Sequence, residues 1–323
     1  MRIIFLLILA GIPGGLSAQD PLFSQFYANP LYLNPALAGS EKCTRIIMNY
    51  RNLPYPAFGT YTSYSFSADA FVEDISGGVG LSIIHDNQGD LLSFTQAALQ
   101  YAYHGRISRN WHLNFGVQAA YINHRLHQEN LIFPDQQNPF GNNATLSQEV
   151  LPDNFSSHTL GFSSGFVLYN ENFYAGGAVH HLNRPRIDFF RQDRMFMKYT
   201  LHMGYEFQRQ TPVRAGDTTP RVSISPNLIM QSQAGFHRIN YGMYVNYQPI
   251  IAGVWLRQNM NTANSLIFML GLKQVNYSVG YSYDHSISGF SGMGGGAHEI
   301  GVLLNFNCTH KNMKYRILNC PTF

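Results

Sequence analysis

Apolar residues alternate with small or polar residues along most of this chain, and the alternation predicts β-strands. In residues 275–284 every odd position is apolar and every even position is Asn, Ser, Gly or Asp. Residues 111–118 and 60–71 alternate in a similar way. A period of two places apolar side chains on one face of a strand and polar side chains on the other. Segments of about ten residues with this pattern, repeated along a chain, are typical of transmembrane β-barrels.

Fourteen segments of the chain are predicted to be strands. They cover residues 44–50, 60–71, 77–86, 91–104, 110–123, 158–169, 173–182, 197–208, 221–231, 237–247, 250–258, 264–272, 275–284 and 298–307. An even number of antiparallel strands is usual in a single-chain bacterial barrel. It would leave both chain termini in the periplasm.

The lengths of the connections support this topology. If the first strand runs outward, links after odd-numbered strands face the outside and are expected to be long. The longest predicted links, 124–157 and 183–196, both follow odd-numbered strands, and so does the long link 285–297. The link 209–220 is the exception, because it is long and follows an even-numbered strand.

Composition favours a barrel over the alternative, a secreted β-sandwich. Charged residues make up only 12% of the chain and aromatic residues 14%. Residues 1–18 have the order and size of a secretory signal peptide, and no later run approaches the ~20 apolar residues of a membrane helix. The net charge of +3 comes without a basic stripe, so nucleic acid is not an expected partner. We therefore expect an all-β, transmembrane antiparallel barrel in the outer membrane.

Residues 19–39, QDPLFSQFYANPLYLNPALAG, do not fit the alternation. The pairs Asn29-Pro30 and Asn34-Pro35 favour turns and move the residue before each proline out of helical geometry. Irregular backbone at membrane depth is tolerated only inside protein or beside a water-filled cavity. We expect this segment to plug or line the periplasmic mouth; a leader that orders only on binding is the alternative. The side chains expected to pack on the barrel wall are Phe23, Phe26, Tyr27, Tyr32 and Leu33.

Motifs that could carry enzyme chemistry lack the context that this chemistry needs. GFSSG at 161–165 lies inside an alternating strand rather than on a strand-to-helix turn. GMGGGA at 292–297 precedes the last strand and opens no helix. The adjacent pair His180-His181 points to opposite faces of a strand, so it does not form a ligand set. We expect no enzyme activity, no cofactor and no metal.

The three cysteines allow more than one disulfide. Cys43 precedes the first predicted strand and Cys308 follows the last one, and these strands are neighbours in a closed barrel. A Cys43–Cys308 bridge is therefore sterically possible. A Cys308–Cys320 bridge and free thiols are the alternatives, and the sequence does not choose among them.

Both ends of the chain carry specific motifs. Residues 19–39 combine a Gln-Asp-Pro start with Phe-Ser-Gln, Asn-Pro and Leu-Asn-Pro-Ala before a glycine, and 294–307 read GGGAHEIGVLLNFN ahead of a terminal CPTF. These motifs resemble those of the PorP/SprF family of outer-membrane proteins. The matching positions are Gln19, Asp20, Pro21, Phe23, Ser24, Gln25, Asn29, Pro30, Leu33, Asn34, Pro35, Ala36 and Gly39 at the first end and His298, Glu299 and Ile300 at the second.

The resemblance implies a part in the type IX secretion and gliding machinery of Bacteroidota. It implies that the barrel, surrounded by outer-membrane lipids, delivers or anchors a secreted adhesin or other cargo with a type B C-terminal domain. It also implies a connection to periplasmic machinery bound to peptidoglycan. The domains would then be a signal peptide (1–18), a signature segment (19–43), the barrel (44–307) and a periplasmic tail (308–323).

The long links are the expected contact surface for a protein partner, because exposed aromatic residues favour protein contacts. The aromatic residues concerned are Phe133, Phe140, Phe189, Phe190 and Phe196. Packing of these side chains on one another as a lid is the alternative. A pore for small or apolar molecules is the alternative function, since fourteen strands can enclose a wide lumen.

Overall fold

The protein is a closed antiparallel β-barrel with an irregular segment inside it. The computed structural model describes residues 20–55, 59–89, 91–127, 155–188, 192–208, 222–259, 265–287, 296–306 and 308. The predicted signal peptide (1–18), the link 209–220 and the residues after Cys308 therefore lie outside the described residues.

Seventeen strands are assigned in this part of the chain. They are β1 (Thr44–Tyr55), β2 (Gly59–Val72), β3 (Gly77–Gln88), β4 (Leu92–Arg106), β5 (His112–Leu126), β6 (Ser156–Tyr169), β7 (Phe173–His180), β8 (Arg186–Asp188), β9 (Gln192–Arg194), β10 (Lys198–Tyr205), β11 (Phe207–Gln208), β12 (Val222–Gln233), β13 (Phe236–Tyr247), β14 (Ile250–Asn259), β15 (Ser265–Lys273), β16 (Tyr277–Ser286) and β17 (Ala297–Phe306).

Hydrogen bonding closes the sheet on itself. Each barrel strand pairs with its sequence neighbour, and β1 pairs with β17 from Thr44↔Phe306 to Asn52↔His298. β10 pairs with both β7 and β12, so the small hairpin β8–β9 stands outside the ring. β10 and β11 flank Glu206 and together form one barrel strand. The described residues thus form fourteen barrel strands, and the predicted fold is confirmed.

Alternation along each strand sorts side chains between the lumen and the outer surface. In β16 Tyr277, Val279 and Tyr281 are exposed, whereas Ser278 and Ser282 face inward and are buried. Closure leaves the described barrel strands without an open edge, and the apolar outer face suits lipid. In the part of the chain described here, no helix is long and apolar enough to cross a membrane.

Most strand ends lie within one to three residues of the predicted bounds, and two differences are larger. The link predicted at 183–196 contains the hairpin β8–β9. The first strand was expected to end at residue 50, but it continues to Tyr55, which pairs with Gly59. Side-chain alternation weakens after Tyr50, so backbone pairing rather than pattern determines where β1 ends.

The two ends of the barrel differ, and each is named here by its residues. The long-link rim is the end where β5, β7 and β16 finish, at Leu126, His180 and Ser286. The cysteine rim is the opposite end, where β1 begins and β17 finishes, next to Cys43 and Cys308.

Candidate functional site

The N-terminal segment, residues 20–43, lies inside the barrel as a chain of short turns. A 3₁₀ turn (Phe26–Ala28), a single helical turn (Pro30–Leu33) and a second 3₁₀ turn (Pro35–Leu37) follow one another. Proline suits the first position of such turns because the missing N–H has no intrahelical partner there. The Asn34 side chain caps the last turn by accepting a hydrogen bond from the Ala36 N–H at 2.9 Å.

The segment crosses the whole lumen. Asp20 contacts Lys198 and Gln233, which lie where β10 begins and β12 ends at the long-link rim. Cys43 lies at the cysteine rim, where it is bonded to Cys308. The segment therefore reaches farther than a plug of one mouth alone would, because its two ends are held at opposite rims.

Aromatic side chains of the segment pack into the wall. Tyr27 is 1% exposed and makes edge-on contacts with the rings of Tyr174 and Tyr244. The ring of Phe26 lies 5.1 Å from that of the fully buried Trp255. Burial of an aromatic ring contributes more to stability than burial of most other side chains does. The same apolar cluster includes Leu33, Ala36, Leu37, Val167, Tyr169, Ile229, Ile251, Ile267 and Met269.

The two sequence motifs at the chain ends contact each other. The carboxylate of Glu299 in β17 accepts hydrogen bonds from the backbone N–H of Ser24 at 2.6 Å and of Gln25 at 3.1 Å. The amide of Gln25 donates in turn to the Glu299 backbone carbonyl at 2.9 Å. His298 and Ile300, on either side of Glu299, face outward. The Phe-Ser-Gln motif and the His-Glu-Ile motif are thus the two halves of one contact.

Buried charges surround this contact. Arg257 of β14 pairs with Asp284 of β16, and Asp284 also accepts a hydrogen bond from the Ser24 hydroxyl at 3.0 Å. Arg51 of β1 donates to the Leu22 carbonyl at 2.9 Å and lies 3.8 Å from Glu299. Buried charges are tolerated when they are paired and hydrogen-bonded, and here the segment supplies part of that pairing.

The two asparagines that precede the prolines also bind the wall. The Asn34 amide donates to the carbonyl of Phe166 at 3.0 Å and lies 3.0 Å from the His202 ring. The Asn29 amide donates to the Ser65 hydroxyl at 2.8 Å. Asn-Pro therefore does two things here: the proline shapes the turn, and the asparagine anchors it.

Glycines in the wall make room for the segment. A Cβ on Gly116 would lie 2.2 Å from the backbone nitrogen of Ala36, and one on Gly165 would lie 2.1 Å from the side-chain oxygen of Asn34. A Cβ on Gly78 would lie 2.1 Å from the Ala38 oxygen. Real side chains do not approach so closely, so the segment's backbone and the wall fit each other only with glycine at these positions.

At the long-link rim the segment is held by charge. Asp20 accepts hydrogen bonds from Lys198 at 3.1 Å and from Gln233 at 3.0 Å, and its carboxylate lies 3.0 Å from the His181 ring. Burial alone would raise the pKa of the Asp20 carboxyl, but His181 and Lys198 hold it well below its ordinary value. The carboxylate is therefore ionised at neutral pH.

At the cysteine rim a second group of charges holds the segment. Asp69 accepts from the Gly39 N–H at 2.7 Å and pairs with Arg45 at 2.8 Å. Gly39 has a φ of 66°, a conformation that favours glycine. Lys42 lies 2.5 Å from the His104 ring, and burial lowers the pKa of Lys42 to about 7.

Several predicted site residues do not join this arrangement. Phe133, Phe140, Phe189, Phe190 and Cys320 lie outside the described residues. Phe196 is described, and its side chain is 42% exposed at the long-link rim.

The resemblance marked Glu299, but the charged network of the lumen to which Glu299 belongs was not predicted from the sequence. The members of the network, Arg51, Asp284, Glu299 and Arg257, occupy inward positions of β1, β16, β17 and β14. The available signal was a charged residue on the polar face of a strand that otherwise carries Ser, Gly and Asn there. Such a residue needs a partner inside the lumen.

The family model for "Type IX secretion system membrane protein PorP/SprF" matches residues 15–304. The chain belongs to the PorP/SprF family. It is therefore an outer-membrane β-barrel associated with type IX secretion. No curated protein matches it.

Solved structures resemble the chain in fold. The CymD monoaromatic hydrocarbon channel matches with a TM-score of 0.53 and 12% identity, over 87% of this chain and 94% of CymD. Omp33 of Acinetobacter baumannii matches with a TM-score of 0.44 and 6% identity, over 82% and 100% of the two chains. At 12% identity the CymD likeness shows the fold alone.

Proposed function

We propose that this barrel binds a secreted adhesin, or other cargo with a type B C-terminal domain, and delivers or anchors it at the cell surface. The proposal rests on one observation: residues 20–43 occupy the lumen and are bound to strands around the barrel wall. The surfaces left for a partner are the two rims. Family membership supports a secreted protein as that partner.

We assign the long-link rim to the outside, because bacterial barrels keep short turns on the periplasmic side. In this orientation Cys308 and the tail that follows lie in the periplasm, where they suit contact with peptidoglycan-bound machinery. Asp20 then lies at the outer end, although both termini were expected in the periplasm. The outward-facing Phe196 and the link 127–155 form the partner surface.

Deletion of one link at each rim tests this assignment. Removal of 128–150 at the long-link rim is expected to abolish surface retention of the adhesin while the barrel still reaches the membrane. Removal of 210–219 at the cysteine rim is the matched control and is expected to retain the adhesin. Retention without 128–150, or loss only without 210–219, would contradict the proposed contact surface.

A channel for small or apolar molecules is the alternative, and the CymD likeness is its support. Such a channel requires the segment to leave the lumen. That movement would expose Tyr27 and Phe26 to water and leave Arg257, Asp284 and Glu299 without their segment partners. These costs favour a closed barrel with a binding role.

A further inference from the structure

A narrow cleft opens at the long-link rim between the N-terminal segment and β12. Its lining includes Pro21, Leu22, Phe23, Tyr32 and Leu33 of the segment and Gln231 of β12. Leu22, Tyr32 and Gln231 are only half-buried, so the cleft is open to solvent. Its free space is about 300 Å³, including the part open to solvent, which suits one compact side chain rather than a long acyl chain.

Arg238 of β13 lies beside this cleft. It is directly opposite Gln231 in the pairing of β12 with β13, and both side chains point into the lumen. Cross-strand neighbours of this kind have Cβ atoms about 5 Å apart. Arg238 also interacts electrostatically with Tyr32, a second residue of the cleft lining. The cleft is therefore apolar inside and has a cation at its edge.

Arg238 lacks an ion pair, in contrast to the other arginines of the lumen. Arg45, Arg51 and Arg257 each pair with a carboxylate. Arg238 donates from Nε to the side-chain oxygen of Asn259 at 3.1 Å. Among the described residues, its two terminal nitrogens have no hydrogen-bond partner. The half-buried guanidinium thus has a charge without a counter-ion.

Neighbouring side chains do not supply the missing anion. Asp284 is the carboxylate whose charge acts on Arg238, but Asp284 is already shared between Arg51 and Arg257. The side chain of Gln231 makes no hydrogen bond within the part of the chain that the structure describes. Arg238 and Gln231 therefore offer unused donors, and Gln231 an unused acceptor, at the same opening.

We propose that this cleft binds the C-terminal residue of a polypeptide, with a branched apolar side chain in the cleft and the terminal carboxylate on Arg238. The two terminal nitrogens of a guanidinium match the two oxygens of a carboxylate. The Gln231 amide, which both donates and accepts, suits the last peptide bond of such a chain. That the polypeptide is the secreted cargo rests on the proposed function, whereas recognition of a carboxylate beside an apolar group rests on the cleft itself.

Ligand-observed NMR titration of the full-length protein in detergent tests the site with small probes. N-acetylleucine, which represents a C-terminal residue, is expected to bind at least about tenfold more tightly than N-acetylleucinamide, because the neutral amide cannot pair with the guanidinium. It is also expected to bind about tenfold more tightly than N-acetylglycine, which places no side chain in the cleft. Isocaproate keeps the carboxylate and the branched group but lacks the peptide bond, and about threefold weaker binding is expected for it.

A substitution at Arg238 tests whether the guanidinium is the group that recognises the carboxylate. Arg238→Gln is expected to bind N-acetylleucine and N-acetylleucinamide equally, because the charge that separates the two probes is removed. Arg109→Gln is the matched control, since Arg109 is exposed in the turn between β4 and β5 at the cysteine rim. This variant is expected to keep the wild-type preference for the carboxylate.

Equal binding of N-acetylleucine and N-acetylleucinamide by the wild type, or no binding of either, would overturn the proposal. This comparison needs no variant, so it remains decisive if Arg238→Gln does not fold. A carboxylate preference that persists in Arg238→Gln would overturn the assignment to Arg238, and isocaproate that binds as tightly as N-acetylleucine would overturn the assignment to a polypeptide. None of these outcomes depends on the adhesin, so failure of the cargo proposal is separately visible in the link deletions.

Discussion

The contact between Glu299 and the segment predicts that residues 22–29 bind the wall less tightly when the charge of Glu299 is removed. Glu299 is 1% exposed, and its carboxylate accepts the N–H groups of Ser24 and Gln25. Hydrogen bonds to charged groups are worth about 1.5–3 kcal/mol each. Glu299→Gln keeps the size of the side chain, but one of the two acceptor oxygens becomes an NH₂ group that faces a backbone N–H. We expect docking of residues 22–29 to weaken by about 3 kcal/mol.

That loss corresponds to roughly a hundredfold change in the equilibrium for local opening. Hydrogen exchange of the peptide around Ser24, measured in lipid nanodiscs, reports this opening directly. Exchange in Glu299→Gln is expected to be about a hundred times faster than in the wild type, whereas exchange in the barrel strands stays the same. Ile300→Ala is the matched control, because Ile300 follows Glu299 in β17 but its side chain faces the lipid. Equal exchange in Glu299→Gln and Ile300→Ala would show that Glu299 does not hold the segment on the wall.

Three further substitutions test other parts of the site. Gly116→Ala is expected to destabilise the barrel by about 1–3 kcal/mol in thermal unfolding, because its Cβ would meet backbone. Gly80→Ala is the control, because its Cβ would meet only the ends of the Leu31 and Gln100 side chains; equal effects would contradict the close fit. Asp20→Asn is expected to cost about 3–5 kcal/mol by leaving the buried Lys198 unpaired, and Lys198→Met in the same chain should recover part of that stability; no recovery would argue against the ion pair. Cys43→Ser is expected to cost about 2–5 kcal/mol, since the bridge closes a separation of 265 residues, and mass mapping under non-reducing conditions that finds this cysteine free in the wild type would refute the pairing.

The barrel could be predicted from the sequence because strand alternation is a local signal. Ser278 and Tyr277 differ in polarity, and that difference alone places them on opposite faces of β16. The hairpin β8–β9 was missed because strands of three residues are too short to show a period. The far end of β1 was missed because pairing with Gly59, rather than polarity, sets it.

The site was only partly visible in the sequence. The Asn-Pro pairs showed that residues 19–39 were irregular and needed burial, and the resemblance marked both chain ends. That Glu299 meets Ser24, 275 residues away, could not be read from either motif alone. The choice of Cys308 as the partner of Cys43 likewise depends on closure of the barrel, which brings β1 and β17 together.

Ion conductance in planar bilayers tests the central claim that residues 20–43 close the lumen. The purified wild-type protein is expected to be electrically silent. A variant lacking residues 20–34 but retaining Cys43 and Cys308, and shown to be folded by heat-modifiable migration, is predicted to carry steady current. Steady current through the wild type, or silence of the folded deletion variant, would show that residues 20–43 do not close the lumen.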